Sequence, residues 1–547
     1  MKQRFLTKFW WLPLLLGLAF GPAGVWAAAA PRDTLVVAID TLGSQSMDPI
    51  QETRAAHAHF QAPVFDSLIG IDYEKGGMAP GVAERWEMAK DGLSWTFHLR
   101  KDVKFHNGDP LTAHDVKFSL ERTMSKESVS TRGASLRRDI RDIEVIDDHT
   151  VRVHTKGVMV HLPEGFSRAT FQEGQLMPKK YIETVGVDGF RKKPIGSGPW
   201  RFVRSVPGDR IEYEAVRGHW SGTPHFNRLV LLLVPEESTR MAMVRTGEAA
   251  IASISPESVK EAKSAKLQII DVPGTAQFVY QVYGLHRPEM QKHPLADPRV
   301  RQALSLAIDR KQIIEHVMYG LGRMPMPFAV FDYSLDIDTE RWKKWSQHDM
   351  RYDPAMAKKL LADAGYANGF ELQFANTSMP GTPVMTQIGI VLADFWSRIG
   401  IKVRLTNYEW GSFAPIYRGD QTKLWGAVSM YRTAGRPVAP PRYHSGFHSE
   451  GQAKLLGTKE HCPDVCKKFD AVHQAASNEK DAAMRRKLTD EMIQLAADAW
   501  VGVPVVEGMG TWVAHRDKVG AFKAIPGRHE FGDMYHRIPR PDQGKFK

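Results

Sequence analysis

Apolar positions along the chain recur at two spacings. DTLVVAID (33–40) is a β-branched, apolar run, and LSWTFHLRKDVKFH (93–106) alternates apolar with polar residues before the turn residues NGDP. Both patterns predict strands. RDIEVIDDHTVRVHT (141–155) reads as two short strands folded at Asp147–Asp148–His149, a hairpin. RIEYEAV (210–216) and FNRLVLLLVP (226–235) continue the β pattern. Helical spacing takes over in TAHDVKFSLERTM, with Thr112 as N-cap, and in STRMAMVRTG, stopped by Gly247. HAHFQAPVFDSLI (57–69) reads as helical around a proline.

A second alternation begins near residue 276. It comprises a helix–turn–helix in DPRVRQALSLAIDRKQIIEHVMYG with Asp309 as a cap, and a helix in YDPAMAKKLLADAGY. FELQFA and KVRLTNYEW read as strands flanking the long helix PVMTQIGIVLADFWSRIGI, and a last helix, DAAMRRKLTDEMIQLAADA, precedes the strand VGVPVVE. Strands interleaved with helices predict an α/β fold.

The first residues carry an address. Lys2, Arg4 and Lys8 precede the apolar run Trp10–Phe20, and small residues follow as far as Ala28. This predicts a secretory signal peptide over 1–27 and a periplasmic mature chain. No Cys lies near the cleavage region, so no lipid anchor is expected. About 520 residues remain, enough for two or three units with their own cores. A hydrophobic content of 43% and a charged content of 25% exclude a disordered or membrane-embedded chain. Net charge is +11, or +8 once the leader's three cations are removed. The excess suits an anionic ligand or an anionic surface, and equally plain solubility. No Lys/Arg-rich run of the nucleic-acid type occurs. Cys462 and Cys466 are the only cysteines, and an oxidising compartment would join them in one small disulfide.

Several blocks resemble the extracellular solute-binding proteins of family 5, which serve peptide and nickel ABC importers. They are MAPGVAERWEMAKDGLSWTFHLRKDVKFHNGDPLTAHDVKFSLER, PIGSGPWRFVRSVPGDRIEYEAVRGHW, DPRVRQALSLAIDRKQII, YDPAMAKKLLADAGY and RIGIKVRLTNYEW. The similarity runs from about Leu35 to Val506. It implies a two-lobed, periplasmic-binding-protein-like α/β fold with an extra N-terminal α+β sub-domain. Lobe I would comprise 34–66, 192–275 and 508–547, the insert 67–191, and lobe II 276–507. Segments near 273–279 and 504–510 would be hinges, with the ligand between the lobes. The implied partners are a small-molecule or peptide-like ligand and an inner-membrane permease, with the protein itself a monomer and no cofactor.

Peptide-binding relatives hold the peptide's ammonium with an Asp that would fall around Met430–Ala434. Here Tyr431, Arg432 and Thr433 stand there, and no acid occurs between Gln421 and Ser449. An arginine repels a free amino terminus and clamps a carboxylate or phosphate. The expected ligand therefore has an anionic or neutral polar group, with Arg432 and Arg436 in one wall of its pocket. The alternative is that both face solvent and an acid from elsewhere meets an amine. The resemblance adds Trp410 as a ligand-facing aromatic, Tyr280 and Tyr283 after the first hinge, and Arg418. Ser44, Gln45 and Ser46 follow the first strand, at the carboxyl end where α/β sheets bind ligands; turn formation explains them equally well.

Catalytic spacing is lacking. There is no G-x-S-x-G, Walker loop, H-E-x-x-H or G-x-G-x-x-G, so no enzyme is expected. A secreted hydrolase with distant nucleophile and base stays open as an alternative. His444 and His448 stand four apart in HSGFH, a metal-sharing interval on a helix, but the prolines before them and Gly446 predict no helix there and hence no metal site. Asp147–Asp148 reads as turn chemistry.

Overall fold

The computed structural model describes residues 33–51, 58–169, 174–379, 382, 384–528 and 531–544; the leader predicted over 1–27 lies outside them. No helix among these residues is long and apolar enough to cross a membrane.

A mixed sheet runs through the molecule. From one edge its strands are Lys402–Glu409, Glu371–Ser378, Ala427–Ala434, Gln268–Val282, Gly502–Ala514, Ile251–Ser253, Thr34–Ile39, Arg228–Leu233, Arg210–Ala215 and Trp200–Val206. The two central strands, of 15 and 13 residues, are antiparallel to each other and carry the sheet from one core into the other. The crossing segments expected near 273–279 and 504–510 fall inside this paired ribbon, not in loose connections. Its register shifts between Val272 and Ala276 and again between Phe278 and Val279. Such interruptions unpair residues and bend a strand. Gly274 sits in the first of them at φ +71°, where a Cβ would also press within 2.6 Å of the Tyr333 ring.

One core gathers Leu304, Ile388, Trp396, Val428 and Val506. A second gathers Leu35, Trp200, Leu229 and Trp512. A third, with Phe97, Val116, Leu120 and Val151, lies under a separate antiparallel sheet of Ala83–Met88, Ser94–Leu99, Thr150–Thr155 and Ile140–Asp147. The chain is thus a two-lobed α/β protein with an added α+β unit. The helix Lys179–Lys192 sends Ile182 and Phe190 into the second core, not into the core under the separate sheet.

Local chemistry sets the ends of the elements. Thr112 donates from its backbone and hydroxyl to Asp115 Oδ2, at 2.9 and 3.0 Å, opening the helix Ala113–Met124. Gly247 closes Glu237–Thr246 in the left-handed region at φ +74°. Asp309 Oδ1 accepts the Gln312 N–H at 2.9 Å. Asp147 Oδ1 accepts the His149 N–H at 2.7 Å, a turn contact within the hairpin.

Two local expectations are corrected. Among the described residues of that stretch, 58–69, only Ala58–Gln61 is helical, and the chain turns at Pro63. Where the prolines and Gly446 predict no helix around His444, the chain forms the helix Pro440–Phe447, after the strand Ala427–Ala434. Pro440 and Pro441 occupy the helix's first turn, where a missing N–H breaks no bond.

Cys462 and Cys466 form a disulfide. With four residues of separation, loop-closure entropy assigns it only about 2 kcal/mol. The double Ser variant should therefore stay folded, with an unfolding free energy from urea titration lowered by about that amount. Loss of folding altogether would show that the bond does more than close a loop.

Candidate ligand-binding site

Three strands, Glu371–Ser378, Lys402–Glu409 and Ala427–Ala434, run parallel, so their carboxyl ends share one edge. Open α/β sheets bind ligands at such an edge. Side chains alternate across a strand. Ser429, Tyr431 and Thr433 therefore share one face of Ala427–Ala434, while Met430 and Arg432 share the other.

The helix Trp410–Arg418 starts where Lys402–Glu409 ends and builds an aromatic cluster with Tyr431. Tyr431 stacks on Tyr417 at 5.1 Å between centroids, and Trp410 lies 6.1 Å from Tyr431 and 5.9 Å from Tyr417. The Arg418 guanidinium stands 5.9 Å from the Trp410 ring. Trp410 is half-buried and Arg418 exposed. Three predicted residues, Trp410, Arg418 and Tyr431, thus come together, while Thr433 is buried two positions further along the same strand face. Arg432 lies opposite Phe278 of the long crossing strand, and the Nε atoms of Arg432 and Arg436 are both shielded from solvent.

A cavity of about 530 Å³ lies beside the crossing strands. Its lining includes Gly274, Arg323, Asp332, Tyr333 and Glu507, and from the other side Asp72 and Lys75. Gly435, between Arg432 and Arg436, packs so closely on the Tyr333 hydroxyl that any Cβ would collide with it. Tyr333 in turn donates to the Gly274 carbonyl at 2.8 Å. Gly435 therefore backs the cavity through Tyr333.

Glu507 was not foreseen. It is 5% exposed. Burial pushes its carboxyl up to about 7, against the opposing pull of Arg323 and the Gly274 N–H and with the help of Asp332. The signal was present in VGVPVVE, where an acid ends an apolar strand at a predicted crossing.

Other expectations move away from the site. Tyr280 is fully buried with its ring 5.3 Å from Trp396, on the sheet face that the helix Val384–Arg398 covers. It is a core residue, and burial raises its pKa. Tyr283 is also buried. Its hydroxyl donates to Gln281 Oε1 at 2.7 Å and shares a hydrogen bond with Ser429 Oγ at 2.9 Å, so it supports the aromatic cluster from beneath. Gln45 Oε1 accepts the Gly208 N–H at 2.8 Å, docking its loop on a neighbouring hairpin. Ser44 Oγ accepts the Ser46 N–H and Ser46 Oγ accepts the Asp48 N–H, at 3.3 and 3.4 Å. These three residues shape a turn.

The sequence profile of the bacterial extracellular solute-binding proteins, family 5 Middle, matches residues 77–453. The chain belongs to family 5 of these solute-binding proteins. Among relatives, heme-binding protein A of Haemophilus influenzae is 31% identical over 379 residues, covering 63% of this chain and 64% of that one. The dipeptide-binding protein of Escherichia coli is 27% identical over 380 residues, covering 64% and 67%. The structure of HbpA2 from Haemophilus parasuis superposes with a TM-score of 0.75 at 24% identity, over 91% of this chain and 98% of that one. In this family 5 protein, then, the cavity is lined by Pro273, Gly274 and Glu507 of the two long central strands.

Proposed function

We propose that this family 5 protein is the ligand-capturing component of an ABC importer of the peptide and nickel class. It works in the periplasm as a monomer, closes its two lobes on a small ligand, and passes that ligand to an inner-membrane permease. It binds without turning its ligand over. Closure needs a ligand that prefers the closed arrangement, and contacts contributed by both lobes supply that difference.

The ligand carries an anionic or neutral polar group. One observation supports this most: the segment 421–449 is free of acids, and it folds so that Tyr431 stands beside Trp410 at the strand end, with Arg432 on the strand's other face and Arg436 just beyond it. A guanidinium there gives charge-assisted hydrogen bonds to a carboxylate or phosphate. Arg432→Ala should weaken an acidic ligand about tenfold or more, the scale of one such bond. The ligand is obtained by mass spectrometry of what co-purifies with the protein, and its dissociation constant is measured by calorimetry on both forms. An unchanged constant removes Arg432 from the site.

A second reading, a ligand with an amine, rests on Glu507, the buried acid of the adjoining cavity. Its pH dependence separates the two, as argued below.

A further inference from the structure

Away from that site, a cleft of about 530 Å³ separates the helix Pro440–Phe447 from the inserted unit, where Arg138, Lys156 and His161 line it. Three imidazoles meet on the helix side. His444 and His448 are one turn apart, with ring centroids at 4.4 Å. His473, from the helix Asp464–Asn478, lies 5.2 Å from the first and 5.1 Å from the second. One nitrogen from each ring can be chosen so that all three lie within 4.8 Å of one another. The helix expected to be absent is what creates this arrangement, because it turns HSGFH into an i, i+4 pair.

The buried member is prepared as a ligand. His473 is 8% exposed. Its Nε2 faces the Pro440 carbonyl at 3.1 Å, and a carbonyl only accepts, so the ring proton sits on Nε2. Nδ1 is then a bare lone pair, buried and without a hydrogen-bond partner. An imidazole that donates one nitrogen to a backbone carbonyl and aims the other inward has the outer-shell arrangement of a metal-bound histidine.

We propose that His444, His448 and His473 bind one divalent transition-metal ion of borderline softness, Zn²⁺, Ni²⁺ or Cu²⁺. The remaining coordination positions open on the cleft. Bonds of about 2.0–2.1 Å would bring the three nitrogens to roughly 3.3 Å apart in tetrahedral geometry, so the rings rotate inward on binding. His448 makes the largest adjustment. Its Nδ1 accepts the Glu450 N–H at 3.1 Å, and coordination through either nitrogen releases that contact. Asp470 Oδ1, 3.7 Å from His448 Nε2, offsets part of the ion's charge. This site is independent of the ligand reading above and uses none of its residues.

The test uses untagged, chelator-treated protein titrated with ZnCl₂, NiCl₂ or CuCl₂ alone in a calorimeter. One ion should bind per chain, and His473→Ala and His444→Gln should each weaken it at least tenfold. His444 is half-buried and its replacement leaves the helix intact, so this variant reports even if the buried one fails to fold. Bound Cu²⁺ should show imidazole nitrogen couplings by electron paramagnetic resonance, reduced in both variants. No saturable binding of any of the three ions at one equivalent, or equal binding by the wild type and His444→Gln, overturns the proposal.

Discussion

Arg310→Ala is expected to lower the stability of lobe II by about 4 kcal/mol, the range reached when a buried polar network and a large side chain are lost together. Arg310 is 2% exposed. Its guanidinium donates to the Ser305 and Met350 carbonyls at 3.1 and 2.9 Å, to Ser305 Oγ at 2.9 Å, and twice to the Pro504 carbonyl at 3.3 and 3.0 Å. One side chain thus ties the end of Pro298–Leu306, the turn at Met350 and the second crossing strand. Burial lowers its pKa to about 10, so it remains charged at neutral pH, held by carbonyl dipoles. Removing it leaves a cavity and strands those carbonyls away from water. Lysine would not restore them, because a single ammonium lacks the planar fork. A urea unfolding series on the wild type, Arg310→Ala and Arg310→Lys measures this. A midpoint shift equivalent to less than about 1 kcal/mol, the ordinary effect of a surface change, would show that water replaces the guanidinium.

Arg310 also marks where sequence reasoning stops. Thr112, Asp309 and Gly247 were legible because caps and stops depend on neighbours within one turn. The parity of Tyr431 and Thr433 was legible once their strand was known. Tyr280 was misplaced because adjacency to a crossing segment says nothing about which sheet face a residue takes, and one position decides between cleft and core. The prolines at 440–441 were read as breakers, whereas in a first turn they are compatible with a helix. Glu507 and Arg310 are charged residues that hydropathy assigns to the surface; only tertiary packing shows that strands and helices close over them. The third imidazole comes from His473, 25 residues beyond His448, and no spacing rule joins it to the pair.

Glu507→Gln should make the protein more stable at pH 8 and leave it unchanged at pH 4. The carboxyl is raised from 4.5 to about 7 in the folded state, chiefly by burial. Below 4.5 the folded and unfolded chains both hold the proton, and the group contributes nothing to the pH dependence. Between 4.5 and about 7 the unfolded chain releases it while the folded chain retains it, so stability falls as pH rises through that window. Above about 7 the whole penalty is present, roughly 3 kcal/mol at 1.36 kcal/mol per pKa unit. Glutamine keeps the size and removes the ionisation, so its melting temperature should be flatter across the window. Parallel melting curves for the two proteins from pH 4 to 8 would mean that solvent reaches the carboxylate freely. The same titration decides between the two ligand readings. A cation in this cavity binds the ionised form, so its affinity would climb as pH rises through about 7 and the climb would vanish in Glu507→Gln. An anion held by Arg432 gains nothing from ionising Glu507, and its affinity would stay level or fall over the same range.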